Sequence, residues 1–179
     1  MRLCIDQVVI RDFREEDIVR KVDWINNPEN NTFLHYDLPL DVENTRRWYK
    51  NKNNNVRTDC IIEYNGIPVG LIGLLAIETV NSKAELYISI GEPMAKRKGI
   101  ATKAIALMLH YAFDERKLNK IYLNVDADNI AACGLYEKSG FICEGFFRKD
   151  MVHHGVLIDR KRYAILRENY MKAKAASNK

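Results

Sequence analysis

The sequence predicts an α/β (α+β) fold: a mixed, mostly antiparallel central sheet flanked by helices. Three observations predict it. Two β-branched segments flank Asn65-Gly66, Ala84 to Ile90 alternates as a strand, and apolar residues recur at helical spacing from Ala101 to Ala112. The full order is strand, two helices, a three-strand meander, helix, strand, helix and two strands. Neither a doubly wound order nor a barrel fits it.

Leu3 to Phe13 alternates loosely around Val8-Val9-Ile10 and reads as the first strand, with Glu15-Glu16-Asp17 as an acidic helix start. Ile18, Val22 and Ile25 mark one face of that helix. It should stop at Asn26-Asn27-Pro28, because the residue before a proline is pushed out of the helical region. A loop rich in Asn and Pro follows. Asp41 is the expected N-cap of a second helix through Val42, Thr45, Trp48 and Tyr49, broken by the asparagine-rich run that begins at Asn51.

Thr58 to Tyr64 and Ile67 to Ile77 are joined by Asn65-Gly66, the strongest short-range hairpin signal. In the next strand Glu85, Tyr87 and Ser89 share one face, and Leu86, Ile88 and Ile90 the other. Gly91-Glu92-Pro93 ends it. A helix then opens, with Ala101, Ala104, Ile105, Met108 and Ala112 as its core stripe. Ile121 to Val125 is a strand, Asn129 caps a short helix that Gly140 terminates, and Phe141-Ile142-Cys143 starts another strand. A turn at His153-His154-Gly155 separates the last two strands, and a basic helical tail begins near Arg167.

The chain has 179 residues, enough for one domain with a real core, and its 47% hydrophobic and 29% charged content is globular. The longest apolar runs fall short of the ~20 residues of a membrane helix, and the N-terminus lacks a signal-peptide pattern, so a cytoplasmic protein is expected. Cys4, Cys60, Cys133 and Cys143 form no CxxC pair and are expected to be buried small hydrophobes. A net charge of +4 favours anionic partners mildly, without choosing among nucleic acid, membrane and a phosphorylated cofactor.

Two stretches carry chemistry. The first is Lys96-Arg97-Lys98-Gly99-Ile100-Ala101-Thr102, at the start of the helix after the meander. First-turn N–H groups have no intrahelical partner, and the helix dipole adds about half a positive charge. No carboxylate occupies this turn, Gly99 removes a side chain, and Thr102 offers a hydroxyl, so main-chain N–H groups are free for a phosphate or pyrophosphate. A bland alternative is a solvated basic loop with a turn glycine. The second stretch is Asn129 to Phe141, where Asn129 reads as a cap, Ala132, Leu135 and Tyr136 as a core stripe, and Tyr136 also as a buried phenol in need of a partner.

Together these stretches resemble the GNAT superfamily of acetyl-CoA-dependent N-acetyltransferases. The family's pyrophosphate signature, Arg or Gln, two residues, Gly, one residue, Gly or Ala, appears as Lys96-Arg97-Lys98-Gly99-Ile100-Ala101, departing from it by a lysine at the first position. The second signature is matched throughout by Asn129, Ala132, Leu135, Tyr136, Gly140 and Phe141. The likeness runs from about Cys60 to Ile165. The opening Ile10 to Asp17 looks like the ribosomal-protein N-acetyltransferase and spermidine acetyltransferase branches.

The resemblance implies a sheet whose fourth and fifth strands splay apart. It also implies one N-acetyltransferase domain over 1–179: a strand and acceptor-side helices to about residue 57, an acetyl-CoA-binding core over about 58–165, and a tail over 166–179. Backbone groups of Ile88, Ser89 and Ile90 would bind the pantetheine arm, the segment from Lys96 to Thr102 (Lys96, Arg97, Lys98, Gly99, Ile100, Ala101, Thr102) the pyrophosphate, and Asn129 the cofactor near its reacting end. An attacking amine of pKa ~10.4 needs help to be neutral at pH 7, and a thiolate of pKa ~8.5 must be protonated. Glu85 is the candidate base, with a cross-strand ion pair as its alternative, and Tyr136 the candidate acid.

Adjacent His153 and His154 lack further ligands at metal spacing, and no cysteine has a paired base, so neither a metal nor a cysteine nucleophile is expected. The basic residues are dispersed and belong to no recognisable nucleic-acid module. The expected partners are acetyl-CoA and an amine, without nucleic acid or membrane, in a possible homodimer. A catalytically silent acyl-CoA-binding domain is the alternative reading, and a nucleic-acid-binding protein a more distant one. The acceptor stays open between an amino sugar, since Trp24 to Pro28 followed by Trp48-Tyr49 resembles amino-sugar acetyltransferases, a polyamine, since the middle of the chain looks closer to spermidine acetyltransferase, and a protein N-terminus. A polycation would need a carboxylate-lined pocket, for which Glu29, Asp37, Asp41 and Glu43 are available.

Overall fold

The computed structural model describes residues 1–177; the last two residues of the expected tail lie outside the described residues. The strands are β1 (Arg2–Ile5), β2 (Val8–Asp12), β3 (Thr58–Tyr64), β4 (Ile67–Glu78), β5 (Lys83–Ile90), β6 (Lys120–Asp126), β7 (Ile142–His153) and β8 (Val156–Leu166). The helices are α1 (Ile18–Asn26), α2 (Pro28–Asn31), α3 (Val42–Asn51), α4 (Ile100–His110), α5 (Ile130–Lys138) and α6 (Arg167–Ser177). The strands follow one another in the sheet as β1-β2-β3-β4-β5-β6-β8-β7. Pairings β1–β2, β2–β3, β3–β4, β6–β8 and β7–β8 are antiparallel, so the expected α/β class is the one found.

The parallel pairing of β5 with β6 is registered over Lys83–Glu85 against Lys120–Tyr122. Both strands continue past it, to Ile90 and Asp126, with no registered pair beyond Glu85 and Tyr122. This break in pairing falls at the fifth and sixth strands, not the fourth and fifth, because the opening segment is a hairpin and not one strand. Asp6 takes a left-handed φ of 50° and turns β1 back on β2.

Two compact units divide the chain. The first comprises Met1–Leu75 and Tyr87–Met108. Its core joins Phe13, Ile18, Val22, Trp24 and Ile25 to Ile61 and Leu71 of the sheet. The stripe read on α1 therefore faces β3 and β4, each buried side chain contributing roughly 1.5–3 kcal/mol. Asn27 and Pro28, which end α1, also start α2: the Asn27 side chain accepts from the Glu29 N–H at 3.0 Å, and Pro28 stands where a helix needs no N–H. Asp41 caps α3 as expected, accepting from the Asn44 N–H at 2.8 Å. Asn65 and Gly66 both have positive φ, which suits a tight hairpin.

The second unit comprises Ala76–Leu86 and the chain from Leu109 onward. In it β8 lies between β6 and β7, with Ile121, Leu123, Tyr163 and Ile165 buried. Asp114 fixes α6, accepting from Lys174 Nζ at 2.7 Å and the Tyr170 hydroxyl at 3.0 Å. The four cysteines are free, as expected. Their burial is not as expected: Cys60 and Cys133 are buried, but Cys4 and Cys143 are exposed, because an edge strand and the β7 surface carry them.

Within the first unit a buried ion cluster ties β2, β3 and the start of α1 together. Arg11 donates from Nε to Glu63 at 2.6 Å and from both Nη atoms to Asp17 at 2.7 and 2.9 Å. Burial alone would raise the Asp17 pKa, but the bonds from Arg11 and the Arg14 N–H hold it below the usual value. Arg11→Met would leave Asp17 with only the Arg14 N–H and Glu63 with only the exposed Arg2, and should cost about 3 kcal/mol in urea unfolding. Because Asp17 is depressed on folding, its contribution is present above the unfolded aspartate pKa of ~3.9 and lost as pH falls below it. Wild-type stability should therefore decline below about pH 4, and the Arg11→Met protein should show a smaller decline.

Candidate active site

The first unit holds a cavity of about 210 Å³ between the acceptor-side helices and the sheet. Its walls include Phe13, Tyr36, Trp48 and Tyr87, and its polar groups include Lys21, Arg57 and Asp59. Ile88 and Ser89, two of the three residues expected at the pantetheine arm, also line it. A second cavity of about 500 Å³ shares Lys21, Tyr36, Trp48, Arg57 and Leu75 with the first, and adds Asp37 and Asp41.

Asp59 organises the inner cavity. Its carboxylate accepts from Arg57 Nε at 2.9 Å and Nη2 at 2.6 Å, from Lys52 Nζ at 3.2 Å, and from the Tyr87 hydroxyl at 2.8 Å. Burial pushes its pKa up, but these partners outweigh burial and hold the group ionised. Burial, and then Asp59, raise the Tyr87 pKa well above the ordinary phenol value, so Tyr87 remains a donor. Gly73 makes room for this ring, since a Cβ there would stand 2.5 Å from it.

Lys21 sits 3.6 Å from the centroid of the Trp48 ring, and the Arg57 guanidinium 4.9 Å from it. Burial lowers the Lys21 pKa to about 8, with Arg57 and Lys52 adding repulsion and Asp59 opposing it. In the sequence Trp48 stands out as a helix-face aromatic and, with Tyr49, as a likeness to amino-sugar acetyltransferases, whereas nothing marks Lys21, Lys52, Arg57 or Asp59. Apolar periodicity marks the face of α1, but the ring that Lys21 meets comes from α3, far away in sequence.

A clamp connects α1 and α2 to the segment before α4. Trp24 Nε1 donates to Glu92 at 2.8 Å, and Asn30 Nδ2 donates to the Gly91 carbonyl at 2.8 Å. A Cβ on Gly91 would lie 2.2 Å from the Trp24 ring, so only glycine fits there. Lys96 Nζ donates to Asn30 Oδ1 at 2.8 Å, so this lysine, the departure from the signature, is committed to α2.

Arg97, Lys98 and Gly99 are exposed at the head of α4. Among the described residues, the N–H groups from Arg97 to Thr102 have no acceptor; the first bond is Lys103 N–H to the Gly99 carbonyl at 3.2 Å. Positive φ at Arg97 (61°) and Gly99 (73°) turns successive N–H groups into a concavity, and a Cβ on Gly99 would meet no protein atom within 4 Å. Ile100 is buried and anchors the turn, whereas Ala101 is half-buried and Thr102 exposed. Ile90 ends β5 beside Gly91. The dipole and bare donors suit a pyrophosphate.

In the second unit Asn129 caps α5, accepting from the Ala132 N–H at 3.1 Å. Tyr136 is buried on that helix, its ring 5.9 Å from Phe141 and 6.3 Å from Tyr163. Its hydroxyl donates to no group among the described residues, and burial, with a smaller effect of Cys133, raises its pKa to about 12. Glu85 stands at the last parallel pair, opposite Tyr122. Its Oε1 accepts from Asn124 Nδ2 at 2.9 Å, and Asn124 Oδ1 accepts from Arg162 at 3.1 Å. The carboxylate thus has a cross-strand amide partner in place of a cross-strand ion pair.

Of the four acceptor-side carboxylates, Asp37 and Asp41 reach the second cavity, although Asp41 is already a cap. Glu29 is exposed on α2, and Glu43 pairs with Arg46. The His153 and His154 rings lie 4.1 Å apart in the late turn, tilted by 53°, and no metal-holding group of three or more His, Cys, Asp or Glu occurs among the described residues. Nor is any helix of the described residues long and apolar enough to cross a membrane.

Residues 7–142 match the model of the acetyltransferase (GNAT) domain. The chain is 30% identical over 166 residues to spermidine N(1)-acetyltransferase of Escherichia coli (strain K12), covering 92% of this chain and 88% of that one. Among solved structures it is similar to spermidine N-acetyltransferase of Vibrio cholerae in complex with CoA and spermine, at TM-score 0.85 and 27% identity over 93% of this chain and 99% of that one. A dodecameric structure of the V. cholerae enzyme matches at TM-score 0.80 and 28% identity, over 93% and 98%. This chain therefore belongs to the GNAT acetyltransferase family and is an acetyl-CoA-dependent N-acetyltransferase.

Proposed function

We propose that the protein acetylates the primary amine of a small acceptor by direct attack on acetyl-CoA in a ternary complex, with the head of α4 holding the pyrophosphate. The carrying observation is the run of unbonded N–H groups from Arg97 to Thr102 around Gly99. Lys98 and Arg97 add charge beside them, Lys96 braces the loop through Asn30, and the backbone of Ile88, Ser89 and Ile90 takes the pantetheine arm. Asn129 contacts the cofactor as well as capping α5. The acceptor enters the cavity bounded by Lys21, Trp48 and Tyr87. The spermidine acetyltransferases make polyamines the first acceptors to assay.

Tyr136 is the acid in this reading. With a pKa of about 12 it stays protonated, and transfer to a thiolate of pKa ~8.5 is uphill, so it acts by hydrogen bonding to the developing thiolate before giving up its proton. Glu85 is the base: Asn124 occupies Oε1, which leaves Oε2 to take the acceptor's proton through water. Self-association is part of the same proposal. The β7–β8 hairpin exposes Ile142, Phe146, Val152, Val156 and Leu157, an apolar surface suited to a second copy.

A panel of polyamines, amino sugars, aminoglycosides and N-terminal peptides, read as released CoA thiol, tests the reading; no turnover with any class would favour a silent acyl-CoA binder. Tyr136→Phe should keep the acetyl-CoA KM within about threefold and lose about 100-fold in kcat. Gly99→Ala strains a left-handed residue and puts a methyl where the phosphate approaches, so it should raise the acetyl-CoA KM about tenfold with little change in kcat.

A further inference from the structure

Two cations, Lys21 and Arg57, line the inner cavity beside one carboxylate, Asp59, which already accepts from Arg57, from Tyr87 and from Lys52 behind the cavity wall. Lys21 Nζ, by contrast, donates to no acceptor among the described residues and rests on the Trp48 ring. Arg57 commits Nε and Nη2 to Asp59 and keeps Nη1. Both cations line both cavities, so they stand where the two spaces meet. Asp37 and Asp41 lie only on the outer cavity, and Asp41 is engaged with the Asn44 N–H. A cation held in an apolar setting with no anionic partner is out of balance until a ligand supplies the anion.

We propose that the acceptor is an amine that also carries an oxyanion, a carboxylate or a phosphate, which pairs with Lys21 and Arg57 over the Trp48 ring, and that polyamines are poor acceptors for this chain. The proposal rests on the acetyltransferase reading, since it assigns the chemistry of the acceptor in that site. Trp48 offers a flat face to a ring-bearing acceptor, with the ammonium of Lys21 at its rim. A polyamine would bring several ammonium groups toward an inner cavity whose single carboxylate, Asp59, is already bonded to Arg57, Lys52 and Tyr87. Like charges at such distances repel strongly once water is excluded. The depressed Lys21 pKa points the same way, because an anion seated there would raise it again.

Calorimetric titration of the full-length, CoA-saturated protein tests this with four probes: glucosamine, glucosamine 6-phosphate, glucosaminuronic acid and spermidine. At least one anionic sugar should bind about tenfold or more tighter than glucosamine, and spermidine should bind weakest. Which anionic sugar wins identifies the oxyanion. Lys21→Met should reduce the anionic advantage to within about threefold. Arg57→Gln provides a second reading in case the first variant folds poorly. Tighter binding of spermidine, equal binding of glucosamine and both anionic sugars, an advantage that survives both substitutions, or no binding by any probe would each overturn the proposal. The titrations are repeated on CoA-free protein. Failure of CoA itself to bind would count against the acetyltransferase reading, while the anion preference would still be measured.

Discussion

The buried carboxylate of Asp59 is the constraint on which the acceptor side depends. Three separate parts of the chain converge on it: Lys52 at the end of α3, Arg57 before β3, and Tyr87 on β5. Without that charge, Lys52, Arg57 and Lys21 would be cations crowded around one aromatic cluster with nothing to hold them. The sheet is shaped to permit the arrangement: Gly73 gives the Tyr87 ring its space, and the Phe13 N–H donates to the Asp59 carbonyl at 2.9 Å, fixing the strand from which the carboxylate projects. The Arg11 cluster does the same for α1, so Lys21 is delivered by a helix whose start is pinned at Asp17.

A second device links acceptor and cofactor sides of the first unit. Trp24 lies against Gly91, Asn30 bonds the Gly91 carbonyl and Lys96, and the same short loop leads into the open donors of α4. A lysine in place of the family's Arg or Gln at position 96 therefore has a local explanation. Its single ammonium reaches an amide on α2, and main-chain N–H groups farther along are left to meet the phosphate.

Elements governed by local chemistry were legible in the sequence. The Asn65-Gly66 hairpin, the caps at Asp41 and Asn129, and the stop at Gly140 all rest on conformational preferences of single residues. The N-terminal hairpin was not legible, because Asp6-Gln7 is a weak turn signal inside a run that alternates on both sides. The α4 donors could be placed from a glycine-bearing basic loop between strand and helix, read together with the Asn129 to Phe141 signature. The acceptor cavity could not, since Lys21, Trp48, Arg57 and Tyr87 occupy four segments and none stands in a motif. Glu85 was legible as a residue of the polar face of β5, but its amide partner on β6 depends on register, which no single strand reveals.

The cation cluster also bears on the chemistry. An acceptor amine must lose its proton before it can attack, and the burial that brings Lys21 to about 8 against the attraction of Asp59 also disfavours an ammonium placed nearby. An oxyanion on the acceptor, seated against Lys21 and Arg57, would hold the molecule and offset part of their charge, so that burial is what favours loss of the amine's proton. That lessens the demand on a general base, and it is compatible with a Glu85 whose carboxylate is already partly engaged by Asn124.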